Sequence, residues 1–469
     1  MDNSKSALQE REGLVRQLGL FDCTMMLMGL TIGSGIYLTT GIMAESIPSA
    51  GLIILAWIFG GLFAIGGAII FAELGAAMPE AGGQYIYLKE AFGPLSGFLF
   101  GWIYFVVYIS GAVAALGAAF GEYFGYFFPA LGTGHELFSI PFTVAGESFL
   151  YTLTMGQITG IAVIVIISAA NFYGVVYGKI IQNVTTVIKI ATILIFIALG
   201  LTIGRGITID YSLNPAGLSF GQMMVGFAVA LVAVSWAYDS WNNISFIAGE
   251  IKNPQRIIPL SLFLGIAGIM LLYILVNFIY IYALPIDEMA GVVRIAEKSS
   301  NALFGATTAG LISAAVAISV LGALNGKVFV GPRIYYAMAK DRLFFAKVAE
   351  VHPRFHTPGF AIIVQAVWAC ILIMTGTFGQ LLVFVMFVAI LFWIAAALSV
   401  FALRKKYPAL PRPYKIWGYP ATPVLFIIVS AGILLNTVIE KPVESAAGIG
   451  LTLIGIPIYY YWKKKSGNN

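Results

Sequence analysis

The chain has 469 residues, of which 60% are hydrophobic and 10% charged, with a formal net charge of +5. A soluble globular domain carries about 25% charged residues, so this composition excludes an ordinary water-soluble fold and points to one helical bundle in a bilayer. Two cysteines, Cys23 and Cys370, lie in apolar runs and give neither a disulfide framework nor a metal spacing, and no nucleophile or cofactor cluster is visible, so no enzyme, cofactor or metal is expected.

Residues 1–17 are polar and amphipathic and read as a cytoplasmic tail rather than a cleaved signal, because the first apolar run is followed by eleven more. The twelve runs, each of a length to cross ~30 Å of hydrocarbon, lie near 18–43, 51–78, 93–128, 154–172, 179–204, 219–248, 257–284, 303–331, 358–377, 379–403, 420–439 and 446–462. With the N-terminus inside, the cytoplasmic segments collect Lys5, Arg11, Arg16, Lys89, Lys179, Lys252 and Arg256. They also collect Lys327, Arg333, Lys340, Arg342, Lys347 and Arg354 around one loop, then Arg404, Lys405, Lys406, Arg412, Lys415 and Lys463 to Lys465. Only Arg205, Arg294, Lys298 and Lys441 fall outside. That asymmetry is the orientation signal of an inner-membrane protein with both termini cytoplasmic. It also accounts for the net charge without nucleic acid, as retention against anionic membrane lipids.

The first span is interrupted. In MGLTIGSGIYLT (Met28 to Thr39), Gly33-Ser34-Gly35 is a cheap place to leave helical geometry. Free N–H groups at the start of the following half-helix would seat a carboxylate. The alternative is close helix packing through Gly29-x-x-x-Gly33. Glu73 ends the second span, and Gly82-Gly83 precede Tyr85 and Tyr87 at an expected interface. The third span runs long toward a loop from Pro129 to Phe149, with Glu122 near the outer rim.

Lys189 lies deep in the fifth span and belongs to neither side. It either snorkels to the inner face or stands as a buried ammonium, fixed in place of a coupling sodium ion or titrating with transported protons. Asn183, Thr185 and Thr186 are near it in sequence, and Ser313 and Ser319 of the eighth span are candidate partners.

The sixth run, Phe220–Ala248, is broken by AYDSWNN, with Asp239 in its middle and Ser240, Asn242 and Asn243 close by. A charge at that depth faces a cavity or the bundle interior, and broken backbone is tolerated where something binds or protein covers it. Trp236 covers a ligand or fills core space. Ala237 and Tyr238 offer carbonyls to an ammonium group. Asp239 attracts a cation, carries a proton or accepts hydrogen bonds from the break. Glu250 and Lys252 mark the exit of this span, with an inner gate to Arg16 or Glu73 as one reading. Asn243-Ile-Ser245 matches a glycosylation triplet by chance, inside a span. The loop Pro332 to Pro358 reads as a short amphipathic cytoplasmic connection, with Phe344 and Phe345 at the interface. The histidines (His135, His352, His356) read as solvated loop residues.

The first and sixth spans both carry mid-membrane breaks, and each opens a group of five. Five is odd, so the halves 18–204 and 205–403 must lie in opposite orientations, as an inverted repeat. Residues 404–469 then hold two peripheral spans and a short cytoplasmic tail.

Three stretches carry a family resemblance: IGSGIYLTTG (Ile32 to Gly41), FAELGAAMPEAGGQYIYLKEAFG (Phe71 to Gly93) and WAYDSWNNISFIAGEIKNPQRIIPLS (Trp236 to Ser261). In this order the chain resembles the amino acid–polyamine–organocation transporters, and within them the L-type amino acid transporter branch, over about residues 14 to 465. The resemblance implies an all-α, LeuT-like fold with a 5+5 inverted repeat, two peripheral helices and alternating access. It implies a substrate site that includes Gly33, with the α-carboxylate at Ser34 and Gly35 and the α-amino group at carbonyls around Thr31, Ile32, Trp236 and Ala237. Trp236 matches the aromatic that closes over substrate, Lys189 the lysine that replaces a sodium ion, and Asn242 the motif asparagine after Trp241. Asp239 stands where several L-type members have a small residue, a variation seen in members handling neutral or cationic substrates. The loop after the third span lacks the cysteine by which animal members bind a partner, so no disulfide-linked subunit is expected, and the short tails suggest a bacterial member. The expectation is sodium-independent exchange of neutral, small L-amino acids such as Ala, Ser or Thr. The alternatives are proton-coupled symport with Lys189 titrating, and exchange of cationic amino acids or polyamines with Asp239 as counter-charge. A channel or a receptor without flux fits the paired breaks less well.

Overall fold

Long apolar segments fold as helices because a helix satisfies every backbone group without water. The computed structural model describes residues 14–144, 147–292, 294–305, 308–375 and 378–467. Lys5 and Arg11 lie outside the described residues. In chain order the helices are α1 (Leu20–Thr31), α2 (Gly35–Ser46), α3 (Ala50–Ala77), α4 (Gln84–Phe92) and α5 (Pro94–Phe124). After a β-hairpin come α6 (Met155–Phe172), α7 (Val175–Thr202), α8 (Phe220–Ala237), α9 (Pro254–Ala283), α10 (Ile295–Phe304), α11 (Ala309–Val330) and α12 (Pro332–Lys340). The chain closes with α13 (Gly359–Ile373), α14 (Phe378–Lys406), α15 (Ala421–Glu440) and α16 (Pro442–Gly467).

Among the described residues, ten helical segments are long and apolar enough to cross a membrane. Of the twelve spans expected, the ninth corresponds to α13, which has 15 residues, and the twelfth lies within α16. Around the centre, α1 packs on α7, α9 and α11, and α9 also packs on α3. The outer faces of α6 and α7 expose Ile166, Val176, Ile180, Leu194 and Ile195, side chains suited to lipid.

Four expectations need correction. The stretch from Pro129 to Phe149 is no simple loop. It leads into an antiparallel hairpin, β1 (Glu136–Val144) and β2 (Glu147–Thr154), between the third and fourth spans of the all-α membrane bundle. Tyr85 and Tyr87 are buried rather than interfacial, and the Tyr85 hydroxyl donates to Asp341 at 2.7 Å. Lys327 and Arg333, counted with the charges of one loop and its flanks, are buried. The eighth span stays helical from Gly310 to Lys340, beyond the expected end, and buries both. The inner-gate reading named the wrong partners. Glu250 receives a two-pronged ion pair from Arg333 (2.8 and 3.0 Å), while Glu73 is bound by Arg404 (2.6 Å) and Arg412 (3.5 Å). Arg16 and Lys252 are exposed.

The chain before α1 is pinned to the same end. Gln17 and Leu18 donate backbone N–H groups to the Glu250 carbonyl, and Lys252 N–H returns to Leu18 O. That end also holds the Lys89–Asp341 pair and the contact of Ser466 with Arg342. The buried Glu250–Arg333 pair therefore fastens three segments of the chain: the one before α1, the end of the sixth span and α12.

Candidate substrate site at two helix breaks

Both predicted interruptions are present. α1 ends at Thr31, Ile32 turns out of helical geometry (φ −73°, ψ 80°), and α2 begins at Gly35. A helix has no internal acceptors for its first N–H groups, so the start of α2 presents donors toward the space beside it. α8 ends at Ala237, and Ser240 takes a left-handed conformation (φ 80°) before a 3-10 helix from Trp241 to Glu250. A positive φ at a residue with a side chain is strained and tends to mark a functional position.

The two breaks touch. A Cβ placed on Gly35 would lie 2.7 Å from Ala237 Cα, so only glycine fits there. Gly33 is less confined, with Ala323 Cβ 3.7 Å from such an atom. Gly29 serves helix packing, against Gln182 and Thr186 of α7. The two readings of the glycine pattern are thus both realised, at different glycines.

Lys189 is 1% exposed, and its ammonium donates to Gly29 O and Ile32 O, each at 2.6 Å. It does not snorkel. It fills the carbonyl cluster freed by the first break, and Ser319 of α11 donates to the same Ile32 carbonyl at 3.1 Å. Ser313 is buried but does not join this group. Tyr273 of α9 joins the breaks. Its hydroxyl lies 3.0 Å from both Thr31 O and Ala237 O, and one hydroxyl proton serves one acceptor at a time.

Asp239 is not a free anion. Tyr108 donates to its carboxylate at 2.8 Å, Ser240 at 3.1 Å, and the Lys327 ammonium lies 3.5 Å away. Asp239 and Lys327 are each 4% exposed. Lys327 also sits 4.2 Å from the centre of the Tyr108 ring and 3.2 Å from its hydroxyl. Tyr108 reaches this position from a π-helical turn, Tyr104–Ile109, within α5. Such turns re-aim side chains and recur at functional sites.

Between the breaks lies a cavity of about 30 Å³, room for about two waters, lined in part by Thr31, Gly33, Ser34, Gly35, Trp236 and Asp239, with Ala112, Ala323 and Lys327 across from them. The hydroxyls of Thr31 and Ser34 are buried with no protein partner. The other sequence candidates stand behind this lining. Tyr238 turns toward α3, where its hydroxyl meets Trp57 O at 3.1 Å and its ring packs on Trp57 and Tyr273. Asn242 donates to Gln84 at 3.2 Å, and Gln84 donates in turn to Phe392 O. Ile32 and Ala237 contribute the carbonyls described above.

Tyr108, Lys327 and Tyr273 were missed from sequence. Lys327 carried a usable signal, a charge within an apolar run (LGALNGKVFV). Tyr108 and Tyr273 resemble core aromatics until their hydroxyls are placed.

Two broken helices, meeting at a buried polar cavity inside an apolar bundle, define a membrane transporter that handles a small polar substrate. The chain belongs to the amino acid permease family, whose model matches residues 18–459. It is 30% identical over 465 residues to the serine/threonine exchanger SteT of Bacillus subtilis, with 98% of this chain and 99% of that protein covered. It is 29% identical over 453 residues to the human b(0,+)-type amino acid transporter 1, covering 96% and 88%. It is 27% identical over 462 residues to the human large neutral amino acids transporter small subunit 2, covering 96% and 82%. These relatives and the family are transporters, not enzymes.

Proposed function

We propose that the protein exchanges small neutral L-amino acids across the cell membrane by alternating access, without sodium and without a disulfide-linked partner. The observation that carries this reading is the pairing of Asp239 with Lys327, which leaves the cavity wall without net charge. A zwitterion then needs only one seat for each end. The N–H groups at Ser34 and Gly35, with the unpartnered Ser34 hydroxyl, suit its carboxylate. The carbonyl of Thr31 or Ala237 that Tyr273 does not serve at that moment suits its ammonium.

Sodium independence is supported by Lys189, whose ammonium holds two carbonyls that would otherwise be open to a metal cation. Small substrates are supported by the alanines Ala112 and Ala323 in the cavity wall and by the serine/threonine exchanger among the relatives. We assign the basic end of the bundle, with both termini, to the cytoplasm, and 18–204 and 205–403 to two oppositely oriented repeats. The resting geometry gives a cationic substrate no unpaired carboxylate at Asp239.

The test uses purified full-length protein in liposomes. Uptake of labelled Ala, Ser, Leu and Arg is followed with and without internal unlabelled amino acid, while sodium and the pH gradient are varied separately. Uptake of Ala and Ser that requires internal substrate and ignores both gradients is the expected result. Uptake into vesicles lacking internal substrate, driven by an inward proton gradient, would replace exchange by symport.

A further inference from the structure

A second polar site lies at the basic end, between α12 and the end of α16. After Lys340 the chain reverses through Arg342, which has a left-handed backbone (φ 58°). Phe344 and Phe345 then pack on Trp462 of α16, with ring centres 6.3 and 5.0 Å apart. Ser466 fastens the junction by donating to Arg342 O at 2.7 Å. The result is a cavity of about 360 Å³ lined by Ala339, Arg342, Phe344, Phe345, Trp462 and Lys465, within the size range of small-molecule sites.

Its chemistry is one-sided. Lys465 lies 5.3 Å from the centre of the Trp462 ring, and Arg342 is exposed. Among the described residues neither forms an ion pair. The neighbouring carboxylate, Asp341, is already held by Lys89 and Tyr85. Two unpaired cations therefore flank an aromatic floor. The site also sits at a defined depth. The turn of α16 before it exposes Tyr460 and Tyr461, Phe345 is 54% exposed, and Lys463 and Lys464 follow. Aromatic rings and then lysines at the end of a span mark the zone between hydrocarbon and headgroups.

We infer that this notch binds the headgroup phosphate of an anionic phospholipid, with Arg342 and Lys465 on the phosphate and Phe345 and Trp462 against the glycerol and upper acyl chains. A bilayer lipid is favoured over a soluble anion because the aromatic floor opens at headgroup depth, where a free anion gains nothing from it. The occupant would bridge α16 to the loop after the helix that carries Lys327 and Ser319. This inference does not rest on the transport assignment, and its test does not use transport.

The experiment is native mass spectrometry of the full chain in detergent with phosphatidylglycerol or phosphatidylcholine added. Two double variants are compared with the parent: R342Q/K465Q in the notch, and K463Q/K464Q at the same helix end outside it. Thermal unfolding in detergent checks that all three are folded. Phosphatidylglycerol should be retained over phosphatidylcholine, with a loss on the order of tenfold in R342Q/K465Q and little change in K463Q/K464Q. Equal loss in both variants would reduce the effect to diffuse charge and overturn the site. Unchanged retention in R342Q/K465Q, or displacement by millimolar inorganic phosphate, would overturn it as well.

Discussion

At the scale of single residues, the Asp239–Lys327 pair separates two roles of a buried charge. Removing one partner of a buried ion pair costs about 3–5 kcal/mol, because the other charge is left unpaired. Asp239→Asn and Lys327→Gln should each lower the thermal unfolding temperature in detergent, and the double variant should recover most of the loss. The two single variants should differ in selectivity. Lys327→Gln leaves the Asp239 carboxylate unmatched beside the cavity, so arginine should become a competitive inhibitor of serine exchange in that variant and not in the parent. Inhibition by arginine in neither protein would detach Asp239 from the choice of substrate charge.

Lys189 makes a second argument at this scale. Its two short contacts tie Gly29 O in the last turn of α1 to Ile32 O at the start of the break. Lys189→Met removes both donors while keeping much of the volume, and should abolish exchange with the protein still in the membrane. If Lys189→Met gained a sodium requirement instead of losing activity, that would identify the ammonium directly as a stand-in for the ion.

At the scale of elements, the two breaks act as one unit because Gly35 lies against Ala237 and Tyr273 reaches both. Gly35→Ala sets a methyl group into backbone and should reduce exchange below detection. Gly33→Ala meets only an ordinary contact at Ala323 and should retain substantial activity. The pair of variants distinguishes a steric requirement from a general dislike of side chains in the break. What the sequence revealed at this scale follows the same physics. A Gly-Ser-Gly interruption and a carboxylate inside an apolar run are local signals, readable without neighbours, and both breaks are where those signals lie. Lys327 was grouped with the charges of the following loop although it falls inside the eighth apolar run, 303–331. The helix continues to Lys340, so a residue counted as a flank lies deep in the bundle. Tyr108 depends on a π-helical turn, and the Glu250–Arg333 pair joins residues far apart in sequence. Neither has a local pattern to read.

At the scale of the whole molecule, the Glu250–Arg333 pair and the strand-like contact of Leu18 with Ile251 close the basic end of the bundle. Glu250→Gln keeps the shape and removes the charge that matches the guanidinium. Amide hydrogen exchange around residues 17–18 and 251–252 should accelerate at least several-fold in this variant, while exchange in the buried parts of α3 and α9 changes little. Uniform acceleration would mean that the pair supports the entire fold rather than one end of it.

The single hydroxyl proton of Tyr273 has an energetic corollary. Thr31 O also accepts the Gly33 N–H at 2.8 Å, so of the two carbonyls that share the phenol it is Ala237 O that depends on it. With no ammonium at Ala237 O the phenol is held on that carbonyl, and turning it to Thr31 O leaves Ala237 O short of a donor. A buried acceptor without a donor costs about 1–3 kcal/mol, or roughly five- to 150-fold in the rate of passing through such a state. A substrate ammonium at Ala237 O removes that penalty and frees the phenol to turn. Loading of the site is thereby coupled to the direction of one phenol between two amide oxygens.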